Sequence, residues 1–513
     1  MDIPAYAELR CFSSFTFLRG ASQPEELVER AKQLGYTALA IADECSLARI
    51  VRGHVAAKEH ELKLLVGAQF QVDWGIASST ETTPFRLTVL ATNLHGYGNL
   101  CQFITKLRRS SEKGTYHLDI ADITGDELVD CVVVMSPQRM SELEQLQTVA
   151  RWLLDNFIGR CWLGVEQLRV LDDEMWLYRL RHVSGSTAIP LMAAGDVHFH
   201  VRSRKPLQDV LTATRVGRPL TECGLDLQPN AERHLRTRLR LAQTFPEDLL
   251  SETLVVAARC VFTLEELRYQ YPDEVVPTGH TSTSYLRQIT YEGAGRRWPK
   301  GMPAKVQLQL QIEHELELIK DLAYEHYFLT VADIVAFARS RHILCQGRGS
   351  AANSVVCYCI GVTEVDPARM SVLFERFISK ERNEPPDIDI DFEHERREEV
   401  LQYLYRKYGR DRAAITGVVT SYRPKSAIRD VGKALGYSLE MVDAIAKGHQ
   451  WWDGREISPD RLTEVGLSAA DLQVRQLLHL TQQLLGFPRH LSQHTGGFVL
   501  TKGPLSRMVP IEC

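Results

Sequence analysis

Apolar positions along this chain recur with two periods, and the change from one to the other marks most of its elements. Near the amino end Leu27, Ala31 and Leu34 keep helical spacing, with Ser22 ahead of them as an N-cap and Glu25 and Glu26 in the first turn. Gly35 closes that helix. Residues 37–42, apolar from Ala38 onward, then read as a buried strand with Asp43 and Glu44 at its carboxyl end. The alternation repeats, with strands expected near 64–72, 85–91, 131–135, 161–165 and 190–194 and helical stretches between several of them. Such units build a parallel sheet, open or closed into a barrel, and polar residues at strand C-termini collect at its functional end. Here these are Asp43, Glu44, Gln69, Glu166, Asp196 and His198.

Beyond residue 225 the strand signal fades. Arg236, Arg238 and Arg240 sit among leucines, and 285–322 keeps helical spacing interrupted by Gly293, Gly301 and Pro303. The strand period returns at 386–392, where Ile388, Ile390 and Phe392 alternate with Asp387, Asp389 and Asp391. Residues two apart share a face, so three carboxylates stand side by side. They repel one another unless a cation sits among them, and Mg²⁺ takes such oxygens. Two such ions held about 3.5–4 Å apart clamp an in-line displacement at phosphorus. The bland alternative is an acidic edge strand guarded against aggregation.

A second informative stretch is Gly-Arg-Gly-Ser-Ala-Ala-Asn-Ser at 347–354, ahead of a helix-compatible run over 351–360. Glycines before a helix let backbone N–H groups cradle a phosphate, Ser350 adds a donor and Arg348 a fixed positive charge. It is not a Walker A loop, since no Gly-Lys-Ser/Thr follows. Cations then accumulate at Arg396, Arg397, Arg406, Lys407, Arg410 and Arg412, and again at Arg423, Lys425 and Arg429, with tyrosines at 403, 405, 408 and 422. This is the make-up of a nucleic-acid face, against the alternative of a solvated charged helix.

Bulk composition narrows the field further. A chain of 513 residues with 44% hydrophobic and 24% charged residues is expected to hold several globular domains. A formal charge of -5 argues against a uniformly basic coat while leaving room for a local basic groove. Eleven cysteines without a Cys-x-x-Cys pair read as free thiols. No 20-residue apolar span and no leader-like amino end stand out, so no membrane role and cytoplasmic residence are expected.

Two resemblances follow from these motifs. The segments 6–13 and 41–44, with Gly-Asp-Val-His at 195–198, resemble a polymerase-and-histidinol-phosphatase (PHP) domain. That resemblance implies a metallophosphoesterase-like barrel whose first motif supplies ligand histidines. This chain carries Glu8, Arg10 and Phe12 where such histidines can stand, and Glu44 where one often follows Asp43. Arg10 is permanently cationic and Phe12 cannot ligate, so PHP metals are not expected, and Asp196 and His198 remain as a half-site. The barrel is expected to serve as scaffold, with a metal-dependent phosphoesterase as the rival reading.

The 347–354 motif, Phe-Glu-Arg-Phe at 374–377 and Pro-Asp-Ile-Asp-Ile-Asp-Phe at 386–392 together resemble the palm of bacterial C-family DNA polymerases, the polymerase III alpha-subunit family. Likeness runs from Tyr6 to Val509, and 15–22, 343–350 and 490–500 look like its error-prone, damage-tolerant branch. The resemblance implies an α/β multidomain chain, in which a PHP-type (β/α) barrel (1–225) and a helical connection (226–280) precede a palm with an inserted helical thumb. The palm would occupy 281–419 and resume over 496–513, and the thumb 420–495. It implies Asp389 and Asp391 as ligands of two Mg²⁺ ions, with Asp387 as neighbour. Gly349 and Ser350 would receive the triphosphate, and Arg348 with Arg396 or Arg397 would contact phosphate. Arg423, Lys425, Arg429 and Lys433 would meet DNA. Primer–template DNA and deoxynucleotides are the implied partners, with a sliding clamp and damage-response accessory proteins for the full-length family member. A third catalytic aspartate of the family falls beyond Cys513, so an incomplete polymerase, inactive alone, is expected. A non-catalytic DNA-binding remnant is the alternative.

Overall fold

The computed structural model describes residues 3–74, 84–139, 141–303, 305–367, 388–448, 468 and 471–512. The first elements alternate as the apolar pattern implies. They are β1 (Ala7–Cys11), α1 (Pro24–Gln33), β2 (Ala38–Glu44), α2 (Ile50–Glu59), β3 (Lys63–Val72), β4 (Phe85–Ala91), α3 (Leu94–Arg109), β5 (Cys131–Ser136), α4 (Leu143–Asn156), β6 (Cys161–Glu166), α5 (Asp173–Thr187) and β7 (Leu191–Ala194). The seven strands form one sheet in sequence order. Beyond β7, Val197 bridges Cys11 in parallel, with hydrogen bonds from Phe12 N–H to Val197 O (2.8 Å) and from Val197 N–H to Arg10 O (3.0 Å). The sheet therefore curls nearly shut as a barrel.

Two expectations are corrected. The sheet is not wholly parallel, because β4 runs antiparallel to both β3 and β5. Among the described residues no helix separates β3 from β4, and an antiparallel step is the one that needs no crossover. The cap of α1 is Gln23 and not Ser22: Pro24 takes the first helical position, and Gln23 N–H donates to Glu26 Oε2 at 2.8 Å. Ser22 Oγ instead meets His200 Nδ1 at 2.7 Å.

Both faces of the strands are covered, which is why they read as continuous apolar runs. One face packs against α1–α5 through residues such as Leu39, Ile41, Val66, Val89 and Val133. The other carries Leu9, Ala40, Leu65, Leu90, Val134 and Trp162. Further elements are α6 (Lys205–Val216), α7 (Leu220–Cys223), α8 (Arg238–Thr244) and α9 (Glu247–Arg259). Val256 and Ala257 of α9 complete the second strand face, and Leu241 of α8 joins the first. The stretch expected as a connection thus contributes α8 and α9 to the barrel core.

The next group comprises α10 (Ser282–Arg297), α11 (Lys305–Asp321), α12 (Glu325–Ser340), β8 (Cys345–Arg348), α13 (Val355–Cys359), β9 (Asp389–Phe392) and α14 (Arg397–Tyr408). Leu286, Ile312, Ile319, Phe328, Val335 and Val355 form its core. Gly293 is required within α10, since a Cβ there would lie 1.9 Å from Cys359 O at the end of α13. The final group is β10 (Ala413–Ser421), α15 (Pro424–Ala434), α16 (Leu439–Gly448), α17 (Leu472–Leu484) and β11 (Pro488–Leu500), with β10 and β11 paired.

The chain divides into two compact units. One is Met1–Arg268 with Thr416–Thr495 and Ser506–Cys513, and the other is Tyr269–Ile415 with Gly496–Leu505. In the first unit α15 and α17 bury Ile428, Val431, Val474, Leu477 and Leu480 in the same core as Leu207, Val210 and Leu211 of α6.

Candidate active site and the arginine-filled barrel

The acidic strand and the glycine loop, far apart in sequence, are brought together as an antiparallel pair. Cys345 stands opposite Phe392, Gln346 opposite Asp391, Gly347 opposite Ile390 and Arg348 opposite Asp389. Gly347 and Arg348, expected as the start of a phosphate-cradling loop, are therefore strand. Ile388 and Ile390 pack on the core of the unit, which turns Asp389 and Asp391 to the opposite, exposed face. Asp387 lies outside the described residues.

Two glycines shape this corner. Gly347 N–H donates to Val362 O at 2.7 Å, and a Cβ on Gly347 would sit 2.4 Å from that oxygen. Gly349 has φ +63°, a left-handed conformation that glycine adopts without cost, and it turns the chain beside Asp389 Oδ2. Ser350 follows in a 3₁₀ turn over Gly349–Asn353, and Ser354 then caps α13, so the run expected as one helix is split. Arg348 Nε lies 2.8 Å from Asp391 Oδ2, with side chains 63% and 58% exposed. Two carboxylates on one open face supply the hard oxygen donors that Mg²⁺ takes. Among the described residues no three histidine, cysteine, aspartate or glutamate side chains gather as a metal cluster.

A residue that sequence reasoning missed anchors the far end of this loop. Glu315 of α11 is fully buried, and its carboxylate accepts hydrogen bonds from Ser354 Oγ (2.8 Å), Val355 N–H (3.0 Å) and Val356 N–H (3.0 Å). A glutamate among helical apolar positions gives no sign that it points inward. Burial lifts its pKa from 4.5 to about 7 against the pull of those bonds. The folded state then holds a proton that the unfolded chain releases, so this contribution to stability is present below pH 4.5 and lost as pH rises through 7. The expected loss is about 3 kcal/mol. Glu315→Gln should flatten that part of the pH dependence in urea unfolding, and parallel curves for the two proteins would refute it.

The other expected cations have varied surroundings. Arg396 holds Glu399 through Nε (2.8 Å) and donates from Nη1 to Arg341 O and His342 O at the end of α12 (3.1 and 3.3 Å). Arg397 is exposed at the start of α14. In the barrel-containing unit Lys425, Arg429 and Lys433 recur every fourth residue along the exposed side of α15, with Arg423 at its N-cap and Arg429 paired to Asp443 at 2.8 Å.

The PHP-motif residues converge inside the barrel, where guanidinium groups meet the carboxylates. Arg10, 1% exposed, donates from Nε to Gln69 (3.0 Å), pairs with Glu166, and lies 3.1 Å from Asp196 Oδ1. Arg233 also pairs with Asp196, and Arg86 approaches it at 3.7 Å. His198 Nε2 is 3.5 Å from the same carboxylate, and its ring packs on Phe12 at 4.8 Å. The half-site residues are thus adjacent, and three arginines surround them. Glu8 accepts from Tyr6 OH and from the Arg10 and Gly195 N–H groups, and burial raises its pKa. Asp43 is tied to Arg49, and Glu44 to Tyr116 OH (2.9 Å) and Arg19 (3.2 Å). Arg86, Arg233 and Arg49 carry no motif, since they come from a strand interior, a late loop and a helix start.

Comparison with known proteins finds a family match for two stretches of the chain. Residues 284–513 match the bacterial DNA polymerase III alpha NTPase domain, and residues 8–159 match the PHP domain. The chain is 54% identical to the error-prone DNA polymerase of Bordetella parapertussis over 99% of its own length and 49% of that protein. It is 52% identical to the error-prone DNA polymerase of Dechloromonas aromatica, over 100% of this chain and 49% of the relative. The chain therefore spans about half the length of the curated relatives it matches. Among solved structures, a putative metal-dependent phosphoesterase from Bifidobacterium adolescentis is similar over 38% of this chain and 88% of its own, at 17% identity and a TM-score of 0.27. With matches to both domains and to error-prone polymerases along its whole length, this chain belongs to the bacterial DNA polymerase III alpha family, in its error-prone branch.

Proposed function

We propose that this chain carries the nucleotide-addition site of an error-prone DNA polymerase acting in translesion or repair synthesis. The observation that supports it best is the β8–β9 ladder, which sets Asp389 and Asp391 on one exposed face beside the turn at Gly349. In this reading the turn at Gly349 and Ser350 receives the triphosphate of an incoming deoxynucleotide, with Arg348 and Arg397 balancing its charge. The primer 3′ oxygen attacks the α-phosphorus and pyrophosphate leaves. Mg²⁺ ions held by Asp389 and Asp391 supply, when bound, a lowered pKa for the attacking hydroxyl and charge neutralisation for the leaving group. Lys425, Arg429 and Lys433 hold the DNA backbone. A sliding clamp and damage-response accessory proteins are assigned to the whole protein, working in the cytoplasm.

The test is primer extension with Mg²⁺ and all four deoxynucleotides, by this chain and by a version extended to the length of its relatives. DNA binding is measured in parallel across a salt series. Extension by the longer protein supports the reading. Salt-sensitive binding with extension by neither protein favours a non-catalytic DNA-binding role. Replacing Lys425 or Lys433 with alanine should lower affinity for every sequence alike and reduce the salt slope by about one.

A further inference from the structure

The turn at Gly349 is suspended between two carboxylates, Glu364 and Glu315. On the β8 side, Gly347 N–H is held by Val362 O at 2.7 Å. That carbonyl lies in a loop fixed by Arg297 of α10, which donates to Tyr358 O (3.0 Å) and Thr363 O (2.9 Å), and by Arg339 of α12, which donates to Gly361 O (2.7 Å). Glu364 pairs with both arginines. On the other side the 3₁₀ stretch Gly349–Asn353 leads directly into Ser354, Val355 and Val356, the residues that Glu315 holds.

The two anchors differ in what a proton would do to them. Glu364 is half exposed, and Arg297 and Arg339 hold its pKa below the ordinary glutamate value, so it stays ionised near neutrality. Glu315 is fully buried, and the donors turned to it are uncharged. Its Oε1 accepts from Val355 N–H (3.0 Å) and the Gln311 amide (3.2 Å), and its Oε2 from Ser354 Oγ (2.8 Å) and Val356 N–H (3.0 Å). Four donors on two oxygens suit a carboxylate; an acid O–H placed there would have to displace or reverse one of them. The titratable groups of the packed elements are neutral or engaged elsewhere. Cys357, Tyr358 and Cys359 of α13 are kept neutral by burial. On α10, Arg287 and Tyr291 bond Glu313, Arg297 bonds Glu364, and Glu292 and Arg296 are exposed. On α11, His314 and Glu317 are exposed.

We propose that Glu315 is a positioning residue for nucleotide addition: its ionised carboxylate holds the turn at Gly349 in the form that receives the triphosphate, and a proton on it slackens that turn. The inference rests on the polymerase reading of that turn. Burial sets the ionisation at about pH 7, so the carboxylate is charged above neutrality and protonated below it. The same buried charge that lowers stability above pH 7 thus draws in the start of α13, because hydrogen bonds to an ionised acceptor are the stronger ones.

Two measurements on Glu315→Gln, whose amide mimics the protonated acid, test the proposal. In a version extended to the length of its relatives, the KM for deoxynucleotide in primer extension is compared with the parent across the neutral pH range. The variant-to-parent ratio should rise from about one at pH 6 to about tenfold at pH 8, as loss of a charged hydrogen bond implies, with kcat little changed. Taking the ratio removes the titration of the nucleotide itself. The variant should be no less stable than the parent above pH 7, so a structural role alone would not move KM in this direction. In this chain, hydrogen exchange at Val355 and Val356 should be slower in the parent than in the variant above pH 7 and alike in the two below pH 6. Gln311→Ala, which removes one donor, should shift the parent's step to higher pH, and it decides the matter if Glu315→Gln does not fold. A KM ratio independent of pH, equal exchange in parent and variant at every pH, or an unmoved step in Gln311→Ala would overturn the proposal. Failure of the longer parent to extend any primer would refute the polymerase reading instead, and the exchange comparison, which needs no catalysis, would still decide whether the Glu315 charge sets the turn.

Discussion

Asp43→Ala is expected to cost the barrel roughly 3–5 kcal/mol, because it strands a buried guanidinium. Asp43 and Arg49 are both fully buried and stand 2.7 Å apart. Asp43 also accepts from Ser13 N–H (2.7 Å), Ser13 Oγ (2.6 Å) and Thr16 Oγ1 (2.7 Å), which fixes the turn after β1 to the end of β2. Arg49 in turn donates to Ser46 O and Gly67 O. Removing the carboxylate leaves a charge and three donors without partners in a medium that cannot solvate them. The shift in the urea unfolding midpoint measures this. Pairing the change with Arg49→Met should recover part of the loss, since an apolar pair is better tolerated than a lone buried charge. A single-variant cost below about 1 kcal/mol would show that water reaches the site.

The second large effect concerns chemistry. In a version extended to the length of its relatives, Asp391→Asn should reduce nucleotide addition by more than about 100-fold, the upper range for disturbing groups that merely surround a metal ligand. Asp391 is 58% exposed and pairs with an arginine that is itself exposed, so the thermal midpoint should barely move. Single-turnover primer extension beside a melting curve separates the two quantities. Activity within tenfold of the parent would remove Asp391 from the site; a matching fall in stability would make the residue structural.

What the sequence disclosed depended on how local each cause was. Period-two alternation placed Asp389 and Asp391 on one face without any tertiary information, because side-chain direction in a strand is set by the backbone. The barrel strands were legible as continuous apolar runs, because both of their faces are buried. The direction of β4 was not, since strand polarity depends on the connection and not on composition. The cap of α1 slipped by one residue because Ser22 is a good capping type and Pro24 outranks it by geometry. Arg86, Arg233 and Glu315 stayed hidden because a charged residue in a strand or helix normally signals solvent, and only the packed neighbours reveal otherwise.

The shared core of α6, α15 and α17 bears on how members of this family can be recombined. Val210 and Leu211 on one side, and Ile428, Val431 and Leu477 on the other, are interdigitated in one hydrophobic cluster. A chimaera that exchanged only 416–495 between two family members would join mismatched halves of that cluster, and tightly packed interiors tolerate such mismatches poorly. The heritable module is therefore discontinuous: a graft that is to fold must carry α6 along with the later helices, across more than 200 intervening residues.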